Sequence, residues 1–253
     1  MHVVITGASS GIGAALAREL AGAGHALTLV ARRQALLDEL AAELGDGVRT
    51  IACDLADVDR ALAWLPGAEA AHGPVDVLVN NAGVENTGPS AAADPGECRR
   101  LLDLNLVTPL LLARAVMPGM IGRGRGTIVN VASLAALVSV PMQAYYGASK
   151  AGLAMFSETL RGELAGTGVH VVTVYPGPVT TAMAESAVAK FGGRERVPAL
   201  PEGDPAVLAT RIHTAIRRRQ ARVIYPRVYT ASRWLGPLAR ALVDRFAPKQ
   251  PLG

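Results

Sequence analysis

The sequence is poor in cysteine and in charge. Its 253 residues include only two cysteines, Cys53 and Cys98, so a disulfide framework is excluded and a reducing compartment, the cytoplasm, is expected. Charged residues make up 18% of the chain and hydrophobic residues 50%, which excludes a disordered or low-complexity protein. The composition predicts one globular domain over residues 1–253 with a large core.

Aromatic residues are also scarce, at 4% of the chain. The basic residues have no aromatic platform or reading motif beside them, so nucleic acid is not an expected partner. The five histidines show no close ligand spacing, and no metal site is expected.

No segment reads as a membrane span or a signal peptide. The first residues lack the basic region and the long apolar stretch of a secretory signal. The 24 residues between Arg125 and Lys150 carry no charge, but Asn130 and Pro141 interrupt them, and a lipid-facing helix tolerates such residues poorly. We expect a buried strand there, followed by a loop at a functional site.

Basic residues concentrate at the end of the chain. Residues 211–253 contain ten Arg or Lys and a single acid, Asp244. Within the segment 226–253, apolar residues from Trp234 to Phe246 share one face of a predicted helix. This helix could pack on the body or on a second subunit, lie weakly on an anionic membrane, or cover the substrate.

Short apolar runs alternate with stretches of helical periodicity. Such an alternation predicts an α/β, Rossmann-type, doubly wound parallel sheet of about seven strands with helices on both faces. The predicted strands are residues 3–6, 26–31, 48–52, 75–80, 126–132, 169–175 and 222–224. The predicted helices begin near residues 11, 33, 57, 95, 144 and 204.

A glycine-rich turn joins the first strand to the first helix. Gly7 allows the sharp turn, Gly11 lets the backbone approach a phosphate, and Gly13 lets helix and strand pack closely. Free N–H groups and the positive end of the helix dipole favour an anion here, and the alternative is a turn with no ligand. The other members of the predicted dinucleotide turn are Ser9, Ser10 and Ile12.

Tyr146 and Lys150 lie four residues apart in a predicted helix, and they therefore share one face. A nearby ammonium favours the ionised phenol, which lowers the pKa of Tyr146 towards neutrality and suits it to acid or base catalysis.

Three motifs in this order resemble the short-chain dehydrogenase/reductase family. They are Thr6-Gly-x-x-x-Gly-Ile-Gly13, Asn80-Asn81-Ala82-Gly83 and Tyr146-x-x-x-Lys150, and the likeness extends from residue 1 to about residue 210. It implies nicotinamide-dependent reduction of a carbonyl, or the reverse oxidation of an alcohol.

The resemblance also implies the roles of single residues. Tyr146 is the acid in reduction and the base in oxidation, Ser133 polarises the substrate oxygen, and Lys150 also binds the nicotinamide ribose. Asn105 matches the fourth catalytic position and would hold a water for proton transfer. Asn81, Ala82 and Gly83 would lie beside the adenosine ribose, and Pro176, Gly177, Val179 and Thr181 at the nicotinamide carboxamide.

The residues after the second predicted strand predict NADP(H) rather than NAD(H). Arg32 and Arg33 stand where an NAD-dependent enzyme usually has a carboxylate, and a guanidinium suits the additional 2′-phosphate. Arg32 is the first choice of ligand and Arg33 the second, the alternative being that both are solvated. Asp54 would meet the adenine amino group or cap the helix expected near residue 57.

The predicted substrate is a lipophilic ketone or secondary alcohol, because Leu134, Leu137 and Val140 make the expected cleft apolar. Residues 182–203 are expected to form a flap over it, and the resemblance implies a homodimer or homotetramer. Two other functions stay open: a regulatory protein that binds NADP(H) without turnover, and a membrane-associated protein whose function lies in the basic end.

Overall fold

The computed structural model describes residues 1–196 and 201–233, which contain a seven-stranded sheet in the order β3-β2-β1-β4-β5-β6-β7. All neighbouring strands are parallel. The strands are β1 (His2–Thr6), β2 (Ala26–Ala31), β3 (Val48–Ala52), β4 (Val77–Asn80), β5 (Gly126–Val131), β6 (Val169–Pro176) and β7 (Arg222–Tyr225). The α-helices of this part are α1 (Gly11–Gly22), α2 (Gln34–Leu44), α3 (Leu65–His72), α4 (Pro95–Leu102), α5 (Thr108–Gly122), α6 (Ala144–Glu163), α7 (Ala182–Lys190) and α8 (Pro205–Arg218).

Helices cover both faces of the sheet, as the alternation predicts. Successive side chains of a strand point to opposite faces. Val3 and Ile5 accordingly pack in one core with residues of α1, α2 and α8. Val4 faces the other way and packs with residues of α5 and α6. The predicted fold is confirmed, and the continuous burial of β1 and β4 explains why their sequences do not alternate.

The prediction of a helix that begins near residue 57 is wrong. Hydrogen bonds from the Asp57 amide to the Asp54 carbonyl and from the Arg60 amide to the Asp57 carbonyl form successive turns, and α3 begins only at Leu65. Asp side chains compete for backbone groups and favour turns over helix interiors. The Asp54 carboxylate does so here, accepting from the Ala56 amide at 3.1 Å.

The uncharged stretch before Lys150 forms β5 and then a short 3-10 turn, Leu134–Ala136, as expected. Within the described residues, one helical stretch, Pro95–Gly122, is long and apolar enough to cross a bilayer. Its buried residues Leu112, Val116 and Met120 pack in the core beneath the sheet, and core helices share this length and composition.

Candidate active site

The functional motifs meet at one edge of the sheet. The carboxyl ends of parallel strands share an edge, and β1 lies between β2 and β4, where the strand order reverses. Ligands of open α/β sheets bind at such a switch point. The glycine turn follows β1, the segment from Asn81 follows β4, Ser133 follows β5, and Gly177 follows β6.

The glycine turn is locked against the segment after β4. Gly7 has a φ of +67°, and a Cβ there would lie 2.7 Å from the Ala82 Cα. The Asn81 Nδ2 donates to the Thr6 carbonyl at 3.0 Å and to the Gly7 carbonyl at 3.2 Å. Asn81 therefore ties the ends of β1 and β4 together.

Close packing also requires glycine at the start of α1. A Cβ on Gly13 would lie 2.4 Å from the Gly7 carbonyl oxygen, and one on Gly11 would lie 3.3 Å from the Thr181 Cγ2. Ile12, between Gly11 and Gly13 in the chain, is partly buried against the core. Thr181 caps α7 by accepting from the Ala184 amide at 3.3 Å. The glycine turn and the turn after β6 are thus neighbours.

The turn after β6 is held from two sides. The Gly177 amide donates to the Tyr225 carbonyl at 2.7 Å, and Val179 pairs with Gly203. Pro176 is the last residue of β6. A Cβ on Gly177 would lie 3.1 Å from the ring of Tyr229, a neighbour of the cleft that no motif signals.

Arg33, not Arg32, contacts the glycine turn. Its Nη2 donates to the Ser9 hydroxyl at 3.0 Å and to the Ser10 hydroxyl at 2.8 Å. Both arginines are exposed, and their spacing alone does not tell which of them contacts the serines. Which arginine binds a 2′-phosphate stays a prediction.

Asp54 pairs with Arg100, which lies on α4. Burial opposes ionisation of Asp54, but hydrogen bonds from Arg100 and the Ala56 amide and the charges of Arg100 and Arg32 together lower its pKa. Capping of a helix near residue 57 is excluded, because no helix begins there. The contact with an adenine amino group stays a prediction.

The Ser133 hydroxyl acts on the Tyr146 phenol and lowers its pKa. Ser133 follows β5 by two residues and caps the next turn, its Oγ accepting from the Ala135 amide at 3.1 Å. Tyr146 lies in the first turn of α6 and is partly buried.

Lys150 lies one helical turn after Tyr146, and its Nζ donates to the Val131 carbonyl at 2.9 Å. Its side chain is buried, and burial lowers the pKa of Lys150 to about 8. The lysine is therefore far easier to deprotonate than an exposed one.

The expected lowering of the pKa of Tyr146 is not found in the protein without cofactor. Burial raises the pKa of Tyr146, the Ser133 hydroxyl acts in the opposite direction, and the charge of Glu85 raises it further. Burial is the largest of these causes, and it is invisible in the sequence. The phenol is thus held in its neutral, proton-donating form.

Asn105 lies in a π-helical segment, Asp103–Val107, between α4 and α5. Its side-chain amide donates to the Val84 carbonyl at 2.8 Å and to the Ser149 hydroxyl at 3.1 Å, and its Oδ1 accepts from the Val84 amide at 2.9 Å. π-Bulges occur frequently at functional sites. A Cβ on Gly83 would lie 3.1 Å from the Asn105 Oδ1 and 3.3 Å from the Lys150 Nζ, which brings the predicted fourth residue beside the lysine.

Sequence reasoning missed a polar cluster beside Tyr146. Glu85 accepts hydrogen bonds from Thr87, Gln143 and Lys190. These residues belong to three separate segments, and none of them forms a motif. Only the folded chain brings them together.

A glycine turn that meets a serine, a tyrosine and a lysine at one edge of a parallel sheet defines a class of nicotinamide-dependent oxidoreductases. Comparison with known proteins gives the family, because the profile of the short chain dehydrogenases matches residues 1–191. The chain belongs to this family.

Curated relatives carry reductase names. The chain is 39% identical to the ketoacyl reductase HetN of Nostoc sp. over 70% of this chain and 63% of that protein. It is 35% identical to a fatty acyl-CoA reductase of Mycobacterium tuberculosis over 98% of this chain and 86% of that protein. The chain spans 63% of the length of the Nostoc protein and 59% of a short chain dehydrogenase of Pseudocercospora fijiensis.

Solved structures share the whole fold. A short-chain dehydrogenase of Sphingobium yanoikuyae in complex with NADPH is 32% identical, with a TM-score of 0.81 over 99% of this chain and 98% of that one. A 3-ketoacyl-(acyl-carrier-protein) reductase of Brucella melitensis complexed with NADH is 26% identical, with a TM-score of 0.79 over 88% of this chain and 96% of that one. The family and these neighbours support a nicotinamide cofactor for the chain.

Proposed function

We propose that the protein is an NADP(H)-dependent reductase that converts a carbonyl to a secondary alcohol. The observation that carries this proposal is the buried Lys150, which donates to the Val131 carbonyl one helical turn after Tyr146, at the sheet edge that also carries Ser133 and the glycine turn. The bound nicotinamide supplies the hydride.

Side chains of the protein supply the proton and polarise the carbonyl. The Tyr146 hydroxyl gives its proton to the carbonyl oxygen, while the Ser133 hydroxyl donates a hydrogen bond to the same oxygen. Lys150 would bind the nicotinamide ribose, and Asn105 fixes the backbone beside it. The raised pKa of Tyr146 keeps the phenol protonated before the transfer.

The site fits the proposed cofactor. Glycine at positions 7, 11 and 13 lets the turn pack closely against its neighbours and leaves its backbone without side chains beside the positive end of α1, where a phosphate binds favourably. Arg33 with the hydroxyls of Ser9 and Ser10 offers a guanidinium and two hydroxyls for a phosphate. The absence of a carboxylate after β2 and the NADPH complex of the Sphingobium relative support NADP(H), although the Brucella relative holds NADH.

Arg33→Ala is expected to lower kcat/KM with NADPH by roughly 10- to 100-fold, because it removes charge-assisted hydrogen bonds to the 2′-phosphate. The kcat/KM with NADH should change little, and Arg32→Ala should have the smaller effect. The ratio of kcat/KM for the two cofactors measures this. Arg18→Ala is the control, since Arg18 pairs with Glu43 on the surface. A ratio unchanged by Arg33→Ala would remove Arg33 from the site.

The proposed substrate is a lipophilic carbonyl compound. Val140 and Met183, from segments that border the cleft, are exposed apolar side chains, and two relatives are named for acyl substrates. Consumption of NADPH should be screened with ketones, aldehydes and acyl thioesters of graded chain length. Turnover that rises with chain length is expected. Binding of NADPH without turnover on any of them would instead indicate a regulatory protein.

We also propose a cytoplasmic homodimer or homotetramer. Met155 on α6 is 68% exposed, and such an exposed apolar side chain suits a contact between subunits through this helix. The predicted amphipathic helix with Trp234 and Phe246, and with it any membrane contact, lies outside the described residues.

A further inference from the structure

Glu85 is a buried carboxylate beside the reacting group. It follows Gly83 by two residues in the loop after β4, and its side chain is only 6% exposed. Its charge acts on the Tyr146 phenol. Burying a carboxylate costs free energy unless it is paired and hydrogen-bonded. The partners of Glu85 therefore indicate what the buried charge does.

The partners of Glu85 come from three walls of the cleft. Its Oε2 accepts from the Thr87 hydroxyl at 2.6 Å and from the Gln143 Nε2 at 3.2 Å. Its Oε1 accepts from the Lys190 Nζ at 3.3 Å. Gln143 immediately precedes α6, which carries Tyr146, and Lys190 is the last residue of α7.

Within the part of the chain that the structure describes, few contacts fix α7 in place. None of its nine residues is buried, so it gains almost nothing from core packing. Its beginning is capped by Thr181, and its end is held by the pair between Lys190 and Glu85. A segment with few buried contacts opens at low cost in free energy, and such segments often control access to active sites.

We propose that Glu85 is a positioning residue that holds α7 over the catalytic tyrosine through Lys190, and that the pair is a latch for the substrate cleft. The inference rests on the proposed role of Tyr146. Its consequence is that the latch governs KM more than kcat, because it closes the cleft around bound substrate without touching the reacting atoms.

Glu85→Gln and Lys190→Gln should each raise KM for the carbonyl substrate roughly threefold to tenfold, as expected for a partly exposed ion pair. Lys190→Arg should keep the KM of the parent protein. Glu185→Gln is the matched control, because Glu185 is an exposed carboxylate on the same helix. The double variant should be no worse than the weaker single variant.

The pH profile separates the latch from a purely structural role. Among the described residues, Ser133 and Glu85 act on the pKa of Tyr146, and Lys150 lies one helical turn further along α6. Removing the negative charge of Glu85 lowers the pKa of Tyr146, so the alkaline decline of reductive kcat should move to lower pH in Glu85→Gln. Lys190→Gln retains the carboxylate and should not move it in that direction. The pKa of Lys150 is lowered by burial, and Lys150 is present in all of these variants, so it does not account for a difference between their pH profiles.

Limited tryptic digestion tests the latch without turnover. Cleavage after Arg194, just beyond α7, should be several times faster in Glu85→Gln and in Lys190→Gln than in the parent protein, and unchanged in Glu185→Gln. Equal cleavage rates would overturn the latch even in an active enzyme. Faster cleavage in a protein without turnover would keep the latch and reject the proposed function. Lys190→Gln changes only a half-exposed side chain, and it preserves the test if Glu85→Gln does not fold.

Discussion

Tyr146→Phe is expected to lower kcat by roughly 10³-fold or more, because it removes the acid that protonates the carbonyl oxygen. The ring stays in place, so the dissociation constant of NADPH and the melting temperature should stay close to those of the parent protein. The measurement is steady-state reduction of the best substrate from the screen, together with a fluorescence titration of NADPH.

Tyr145→Phe is the matched control for this prediction. Tyr145 precedes Tyr146 but points about 100° around the helix, and the residue four positions later is Ser149 instead of a lysine. It should retain most of the activity. Near-normal turnover in Tyr146→Phe would show that another group supplies the proton.

Lys150→Met should change activity and stability in opposite directions. Turnover should fall by roughly 100-fold or more, because the variant loses both the charge beside Tyr146 and the contact with the nicotinamide ribose. The protein without cofactor should become more stable at pH 7 by up to about 3 kcal/mol, because a buried ammonium with a lowered pKa destabilises the folded state.

The size of this stability difference depends on pH. The pKa of Lys150 is about 8 in the folded protein and 10.5 ordinarily, so between these values the unfolded chain binds more protons. The stability of the parent protein should therefore rise across this interval relative to Lys150→Met, and the difference should be largest below pH 8. Urea unfolding at pH 7 and pH 10 measures it. A parent protein that is the more stable of the two at pH 7 would contradict the burial penalty.

The sequence predicts the sheet well because its strands are short apolar runs separated by helical periodicity. Strands β2 and β3 lie at the predicted bounds. The helix expected near residue 57 fails because hydrogen bonds of Asp54 convert that stretch into turns. Local competition of this kind is not visible in apolar periodicity.

The site is predictable where one short segment carries the information. The glycine turn and the spacing of Tyr146 and Lys150 are of this kind, and the structure places them at one edge of the sheet. Side-chain direction and burial are properties of the folded chain, which is why neither the contact of Arg33 with the serines nor the raised pKa of Tyr146 follows from spacing. Glu85 and Lys190 are 105 residues apart in the chain, so no local pattern could pair them.

The most direct test of the account is hydride transfer itself. Two preparations of NADPH are made, each carrying deuterium at C4 on one face of the nicotinamide ring. Each is incubated with the protein and the best carbonyl substrate, and the alcohol product is examined by mass spectrometry. We expect one preparation to deliver a single deuterium to the carbonyl carbon with the parent protein and almost none with Tyr146→Phe. Bound NADPH that delivers no deuterium to any carbonyl in the panel, or equal delivery by Tyr146→Phe, would contradict the account.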